Sequence, residues 1–152
     1  MMFSTKAEYG IHVMAHLARN DGEEPIALGA IADAESLPVA YLEHLVQRLR
    51  KAGLVESTRG AHGGYRLAQP AKTITMAEIV EALEGSIAPI ECISSGTDGS
   101  LVCSREVKAE GPPCPTKLLW TRVQGSIVRT LEDITLAELA RPPIRTRAKA
   151  TA

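Results

Sequence analysis

Apolar side chains recur every three or four residues in several stretches of the chain, which is the spacing of helices that bury one face. The first stretch predicts a helix over residues 5–19 that stops at Asn20. A shorter helix is predicted next, over residues 26–34. A third is predicted over about residues 38–52, because Pro38 suits the first turn of a helix and a glycine follows the last apolar position.

The pattern changes after the third helix, where short runs replace the helical spacing. Residues 54–58 and 65–67 flank the glycine-rich segment 59–64, and this combination predicts a β-hairpin. A winged helix-turn-helix has this order of elements: a helix, a short helix, a turn, a further helix and a hairpin. We therefore expect a mainly helical protein with a small β-hairpin wing, in which residues 1–85 form a winged helix-turn-helix DNA-binding domain.

The second part of the chain combines helix starts with an irregular segment. Thr75 and Thr135 each stand three residues before a glutamate, which predicts two helices that begin with capping boxes. Residues 86–115 hold all three cysteines, lack periodicity and are predicted to be a loop. Residues 116–140 predict a long amphipathic helix and a short packing helix, and the long helix is expected to dimerise the chain or, alternatively, to pack on its own domain. Residues 141–152 are predicted to be a flexible basic tail.

Composition narrows the class of protein. Hydrophobic residues make up 45% and charged residues 23% of the chain, so it can bury a core. No apolar run approaches the ~20 residues of a membrane span, and no signal-peptide pattern opens the sequence, so we expect a cytoplasmic protein without a membrane segment. The chain shows no phosphate-binding loop and no nucleophile elbow, so we expect neither an enzyme nor a small-molecule substrate.

The net charge of −1 conceals separate blocks of charge. Residues 1–43 and 73–140 each carry a net charge of −5, whereas residues 44–72 carry +5. The basic block coincides with the third helix and the hairpin, which favours a surface that faces double-stranded DNA. Taken alone, the charge would equally fit a solvated basic face.

The third helix and the hairpin supply the candidate DNA contacts. Glu43 suits the amino group of a cytosine, whereas Arg48 is expected to meet phosphates or to pack its stem along the domain. Arg59 and His62 are expected to reach the DNA backbone or the minor groove. The full set of candidate contacts is Val39, Ala40, Tyr41, Glu43, His44, Arg48, Arg59, Gly60, His62 and Gly63.

Cys92, Cys103 and Cys114 stand in the predicted loop, with ten residues between neighbours. Their flanks are polar or turn-forming, so packing in a core explains them poorly. A metal or an iron–sulfur cluster would order such a loop. The spacing matches none of the compact zinc patterns, and three thiolates leave a four-ligand site at least one ligand short.

The first helix offers the missing ligands. Glu8, His12 and His16 recur every four residues and therefore line one face of that helix. A carboxylate and an imidazole one turn apart can bind one iron. The spacing alone fits an ordinary helix surface equally well.

Several strings of the sequence resemble one family. They are residues 4–9, 41–45, 48–55, 59–65 and 134–139, together with the three cysteines. Through these strings the chain resembles the iron–sulfur winged-helix regulators of the Rrf-two family, and the resemblance runs from residue 1 to about residue 140. The resemblance implies a homodimeric transcriptional regulator, expected to be a repressor, on a palindromic operator. Its DNA affinity would be controlled by a cluster that senses redox state, nitric oxide or iron–sulfur status.

The resemblance also implies a ligand set. IscR-like members place a histidine three residues after the last cysteine, and this chain has Lys117 there. RsrR-like members use a glutamate and a histidine of one subunit with two cysteines of the other to hold a 2Fe–2S cluster. NsrR-like members use three cysteines and an acid near the N-terminus, which leaves a 4Fe–4S cluster and a ligand role for Cys103 open. The RsrR-like arrangement, which we favour, would use Glu8, His12, Cys92 and Cys114.

One alternative keeps the DNA-binding domain and changes the sensor. Thiol redox chemistry, or a mononuclear metal at Glu8, His12 and His16, would then replace the cluster. If Glu8 and His12 hold a cluster shared between subunits, its redox change or loss is expected to alter the angle between the two DNA-binding domains.

Overall fold

The computed structural model describes residues 3–20, 24–88, 90, 93–95, 101–103 and 114–141. Cys92 and the tail after Arg141 lie outside these residues. The helices within them are α1 (Thr5–Arg19), α2 (Leu28–Glu35), α3 (Val39–Lys51), α4 (Met76–Glu84), α5 (Lys117–Glu132) and α6 (Leu136–Ala140). The strands are β1 (Val55–Thr58), β2 (Gly64–Leu67), β3 (Ile93–Ser95) and β4 (Leu101–Cys103).

The predicted fold class is confirmed. The strands β1 and β2 form an antiparallel hairpin directly after α3, as a winged helix-turn-helix requires. Helix α1 has the predicted bounds, and the side chain of Ser4 caps it by accepting a hydrogen bond from the Lys6 N–H. Gly53 follows α3 with a φ of 73°, the left-handed conformation that glycine adopts at low cost after a helix. No described helix is long and apolar enough to cross a membrane.

An aliphatic core holds α1, α3 and α4 together. Val13 and Met14 of α1, Leu45 and Leu49 of α3 and Leu83 of α4 are all buried in one cluster. Burying a leucine or valine side chain of this kind stabilises the fold by about 1.5–3 kcal/mol. The core therefore fixes one face of α1 and leaves its opposite face to carry polar groups.

The predicted bounds of the second helix were wrong at its start. Ile26 is extended and pairs with Tyr65 of β2, donating to its carbonyl at 2.9 Å and accepting from its N–H at 2.8 Å. The apolar side chain of Ile26 fits either a helix or a strand, so periodicity could not separate the two. Pro38 occupies the N-cap of α3 rather than its first turn.

The loop predicted over residues 86–115 contains regular structure. The strands β3 and β4 pair antiparallel, with Ile93 opposite Cys103 and Ser95 opposite Leu101. Runs of three residues are too short for the alternation of a strand to be recognised in a sequence. Cys103 therefore ends a strand.

The two capping boxes are confirmed, and they lie side by side. Thr75 and Thr135 form an antiparallel bridge. Beside it, the Met76 N–H donates to the Ile134 carbonyl at 2.9 Å, and the Leu136 N–H donates to the Ile74 carbonyl at 2.8 Å. The shared spacing of threonine and glutamate reflects these two helix starts, and their pairing brings the start of α6 beside the start of α4.

Gly10 of α1 packs tightly against Leu83 of α4. A Cβ at this position would clash with Cδ1 of Leu83 and would lie 3.1 Å from Cδ2 and 3.2 Å from Cγ. Leu83 is fully buried, so its whole side chain would have to move into a packed core.

We expect Gly10→Ala to destabilise the protein by about 1–3 kcal/mol, because it overpacks the contact between α1 and α4. Gly29→Ala is the matched control: Gly29 also lies in a helix, and a Cβ there meets nothing within 4 Å. Removing this glycine should leave stability unchanged or raise it by up to about 1 kcal/mol. Urea unfolding of both variants measures the difference, and equal stability of the two would contradict the packing described.

Candidate functional site

The first half of α3 presents an exposed face. Val39 is 45% exposed, and Ala40, Glu43 and His44 are also exposed, whereas Leu42 faces the core. These four predicted DNA contacts are therefore accessible to a ligand. A helix presented in this way can enter a major groove.

Two other predicted contacts on α3 also pack within the domain. The ring of Tyr41 is half-buried and meets the ring of Tyr9 edge-on, with centroids 5.7 Å apart. The guanidinium of Arg48 donates from Nη1 to the Leu83 carbonyl at 3.0 Å, near the end of α4. This hydrogen bond ties the Arg48 side chain to its own domain, and both roles expected of Arg48, phosphate contact and packing of its stem, stay predictions.

The wing carries an exposed basic tip. Arg59 and His62 are exposed, and Gly60 has a φ of 116° that a residue with a side chain rarely adopts. A Cβ at Gly63 would clash with the Thr58 carbonyl, so the tip requires glycine there as well. Arg59 forms no ion pair with any described residue, so its charge is available to a polyanion.

The exposed face of α1 brings the predicted ligand pair together. Nε2 of His12 lies 3.4 Å from Oε1 of Glu8, and the two side chains are 44% and 69% exposed. The four-residue spacing predicted this neighbourhood. Glu8 and His12 can therefore present an oxygen and a nitrogen to one metal ion.

The carboxylate of Glu35, from α2, contacts both histidines of α1, and the sequence reasoning did not predict this contact. Oε2 of Glu35 lies 2.9 Å from Nδ1 of His12, and Oε1 lies 2.9 Å from Nδ1 of His16. Arg19 adds a contact at 3.4 Å to Oε1. Burial alone would raise the pKa of the Glu35 carboxyl, but the hydrogen bonds from both histidines and the charge of Arg19 hold that pKa below its ordinary value.

The predicted cysteine ligands lie only partly within the described residues. Cys114 is half-buried just before α5, and its Sγ lies 3.4 Å from Oγ1 of Thr116. Cys103 ends β4, and Cys92 lies outside the described residues.

Within the described part of the chain, no three His, Cys, Asp or Glu side chains are grouped so that they could hold a metal ion. Glu8, His12 and His16 thus do not form a mononuclear site by themselves. His16 instead directs its Nδ1 to Glu35. A metal bound at Glu8 and His12 needs ligands beyond those that this part of one chain provides.

A second carboxylate missed by the sequence reasoning fixes the start of α1. Glu84, the last residue of α4, accepts hydrogen bonds from the Ser4 N–H at 2.9 Å, from the Ser4 hydroxyl and from the Ala7 N–H at 3.3 Å. These donors are at the N-terminus of α1, where the helix dipole favours negative charge. Glu8 projects from this first turn, so Glu84 helps to position it.

Comparisons with known proteins identify relatives of this chain. A family model named Rrf2 and described as an iron-dependent transcriptional regulator matches residues 3–142. The HTH-type transcriptional regulator CymR of Bacillus subtilis is 39% identical over 140 residues, which are 92% of this chain and 90% of CymR. The regulator IscR of Vibrio vulnificus is 34% identical over 139 residues, which are 91% of this chain and 77% of IscR.

Solved structures of similar proteins share the fold. The structure of CymR, called the global cysteine regulator of B. subtilis, superposes with a TM-score of 0.73 and 37% identity, over 92% of this chain and 96% of that one. The structure of IscR from T. potens superposes with a TM-score of 0.71 and 37% identity, over 91% of this chain and 85% of that one. The likeness therefore extends over almost the whole chain.

We expect Glu84→Gln to destabilise the protein by about 1–2 kcal/mol at pH 7, because it removes the charge that the start of α1 binds. Burial alone would raise the pKa of Glu84, but hydrogen bonds from Ser4 and Ala7 lower it from the ordinary 4.5. A lowered folded-state pKa means that the stabilisation is present above the ordinary pKa. It is lost as the pH falls through the lower, folded-state pKa.

Urea unfolding at pH 7 and at stepwise lower pH measures this loss. Glu81→Gln is the control, since Glu81 is an exposed residue of the same helix. The difference between Glu84→Gln and wild type should shrink as the pH falls, while Glu81→Gln should follow wild type throughout. A difference that stays constant with pH would contradict the role given to the carboxylate.

Proposed function

The chain belongs to the Rrf2 family of DNA-binding transcriptional regulators, and we propose that an iron–sulfur cluster held between two subunits controls its affinity for DNA. The relatives are named as regulators, which confirms the prediction of a non-enzymatic protein. The observation that carries the proposal is the Glu8–His12 pair, in which an exposed carboxylate oxygen lies 3.4 Å from an exposed imidazole nitrogen.

DNA recognition is assigned to α3 and the wing. The exposed residues of α3, Val39, Glu43 and His44 among them, would read base edges in the major groove. Arg59 and His62 would meet the backbone or the minor groove beside it. The net charge of +5 over residues 44–72 supports this orientation of the domain toward DNA.

Dimerisation is assigned to α5. Leu118 and Leu119 are 63% and 55% exposed side by side near its start, and adjacent exposed apolar side chains favour a surface that a partner covers. Trp120, Val123 and Ile127 are only half-buried. A second copy packed on this helix would form a two-fold dimer, and a two-fold dimer matches a palindromic operator.

The cluster would draw its ligands from both subunits. Glu8 and His12 of one chain fit the group, since they offer a carboxylate oxygen and an imidazole nitrogen on an accessible face. Cys92 and Cys114 of the other chain would complete a 2Fe–2S site, with Cys103 as a spectator or third ligand. When bound, a cluster with mixed ligands supplies a one-electron redox centre whose potential is higher than that of a four-thiolate cluster.

A thiol-based regulator is the second candidate, and the similarity to CymR supports it. CymR is named as a cysteine regulator, and an oxidised form of the Staphylococcus aureus protein has been solved. This chain also carries three cysteines. Such a regulator would change its DNA affinity on cysteine oxidation and would bind no iron.

Anaerobically purified protein should be red-brown, with iron and sulfide in equal amounts and absorption between about 400 and 600 nm. His12→Ala should change or abolish this spectrum, because it removes a ligand. His62→Ala is the control, since it removes an exposed histidine of the wing. A colourless wild-type protein without iron, whose DNA affinity responds to thiol oxidants, would establish the thiol-based alternative instead.

Arg59→Ala should weaken DNA binding and reduce the slope of log affinity against log salt by about 0.9 for each phosphate that Arg59 neutralises. Lys72→Ala removes the same charge from the last residue of the basic block, which lies outside α3 and the wing and follows Ala71, whose carbonyl accepts a hydrogen bond from the Ala137 N–H of α6. This control should keep the wild-type slope. Fluorescence anisotropy with a duplex selected by the protein from a random library measures both variants. If Arg59→Ala also has the wild-type slope, Arg59 does not bind phosphate.

A further inference from the structure

We propose that Glu35 is a positioning residue for metal ligation: it holds the imidazole of His12 so that Nε2 is the nitrogen presented beside Glu8. This inference rests on the proposed function, because it concerns the same ligand pair. It assigns a role in the proposed cluster site to a residue that lies neither in α1 nor among residues 86–115, which carry the cysteines.

The hydrogen bond to Glu35 selects the available nitrogen of His12. Oε2 of Glu35 lies 2.9 Å from Nδ1, and an ionised carboxylate only accepts hydrogen bonds. Glu8 also offers an accepting oxygen to Nε2, but at 3.4 Å, so the shorter contact to Glu35 favours the neutral ring with its proton on Nδ1 and its lone pair on Nε2. A carboxylate behind an imidazole is a common partner in protein metal sites, where it fixes the tautomer and orients the ring.

Glu35 is itself held in place. Its second oxygen, Oε1, lies 2.9 Å from Nδ1 of His16 and 3.4 Å from Nη1 of Arg19. The side chain is only 12% exposed. Because donors from successive turns of α1 engage both oxygens, the carboxylate cannot rotate without breaking a hydrogen bond, and the orientation of His12 is set by the packing of α2 on α1.

The same carboxylate links the ligand helix to the DNA-reading helix. Glu35 is the last residue of α2, and Ser36 after it adopts a left-handed φ of 56° that closes the helix. A short turn then leads to Val39, where α3 begins. A movement of His12 on gaining or losing a metal would therefore pass through Glu35 to the end of α2 and the start of α3.

The first experiment uses the cluster-free protein and the variant Glu35→Gln. Long-range ¹H–¹⁵N NMR, recorded at a pH at which the ¹⁵N shifts show neutral rings, should show both His12 and His16 with the proton on Nδ1 in the wild type. A glutamine amide has one accepting oxygen, so it can satisfy only one Nδ1–H, and at least one ring should change its tautomer or show mixed ¹⁵N shifts. This measurement does not depend on cluster loading.

The second experiment uses the cluster-loaded, reduced protein. The ¹⁴N hyperfine coupling of His12, detected by pulsed EPR, should shift in Glu35→Gln or disappear, because the ring is no longer fixed. Glu35→Asp is a second variant, which keeps the charge but shortens the side chain. It should show an intermediate change, and it keeps the test decisive if Glu35→Gln folds poorly.

Asp33→Asn is the matched control, since Asp33 is an exposed acid of α2 that forms no hydrogen bond or ion pair with either histidine. It should leave the tautomers and the ¹⁴N coupling at their wild-type values. A His12 ring that keeps its wild-type tautomer in both Glu35 variants would overturn the inference, even if the His16 ring changes. A wild-type protein that binds no iron or sulfide would instead refute the proposed function, and the NMR result would still decide whether Glu35 orients His12.

Discussion

Helices α1, α3 and α4 are joined at two adjacent residues, Leu83 and Glu84, at the end of α4. The side chain of Leu83 packs against Gly10, its carbonyl accepts a hydrogen bond from Arg48, and the Glu84 carboxylate binds the first turn of α1. The contact between Leu83 and Gly10 requires α1 and α4 to pack closely. The hydrogen bonds of the Leu83 carbonyl and the Glu84 carboxylate fix how α3 and α1 are oriented against α4. The exposed face of α1 that carries Glu8 and His12, and the exposed face of α3 that is proposed to meet DNA, therefore have a set position relative to each other.

Two carboxylates from other helices accept hydrogen bonds from α1, at different places along it. Glu84 meets the N–H groups of the first turn, and Glu35 meets the side chains of His12, His16 and Arg19. Their partners lower the pKa of both carboxyl groups although burial opposes this, so both stay ionised at neutral pH. His12 of the exposed Glu8–His12 pair contacts Glu35 directly, and the helix that Glu35 ends leads into α3.

Sequence patterns predicted those elements that are determined by residues close together in the chain. The bounds of α1, the glycine after α3, the two capping boxes and the wing follow from spacing, caps and turn residues within a few positions. Ile26 was assigned to a helix because its extended state depends on Tyr65, far along the chain. The hairpin of β3 and β4 was missed because each strand has only three residues.

In the candidate site, too, contacts within one helix could be predicted and contacts between helices could not. The neighbourhood of Glu8 and His12 followed from their four-residue spacing, since that spacing is about one turn of a helix. Glu35 and Glu84 reach α1 through the packing of other helices, and a single sequence carries no periodic signal for such contacts. Arg48 was assigned two possible roles, and only the structure shows its hydrogen bond to α4.

A mixed dimer tests most directly whether the ligands come from two subunits. One chain would carry His12→Ala and the other Cys114→Ala, with different affinity tags so that the heterodimer can be isolated anaerobically. Each homodimer then lacks a ligand at both sites, whereas the heterodimer keeps one complete site if ligation crosses the interface. The account predicts about half the wild-type iron and sulfide in the heterodimer and almost none in either homodimer, and a heterodimer as empty as the homodimers would contradict it.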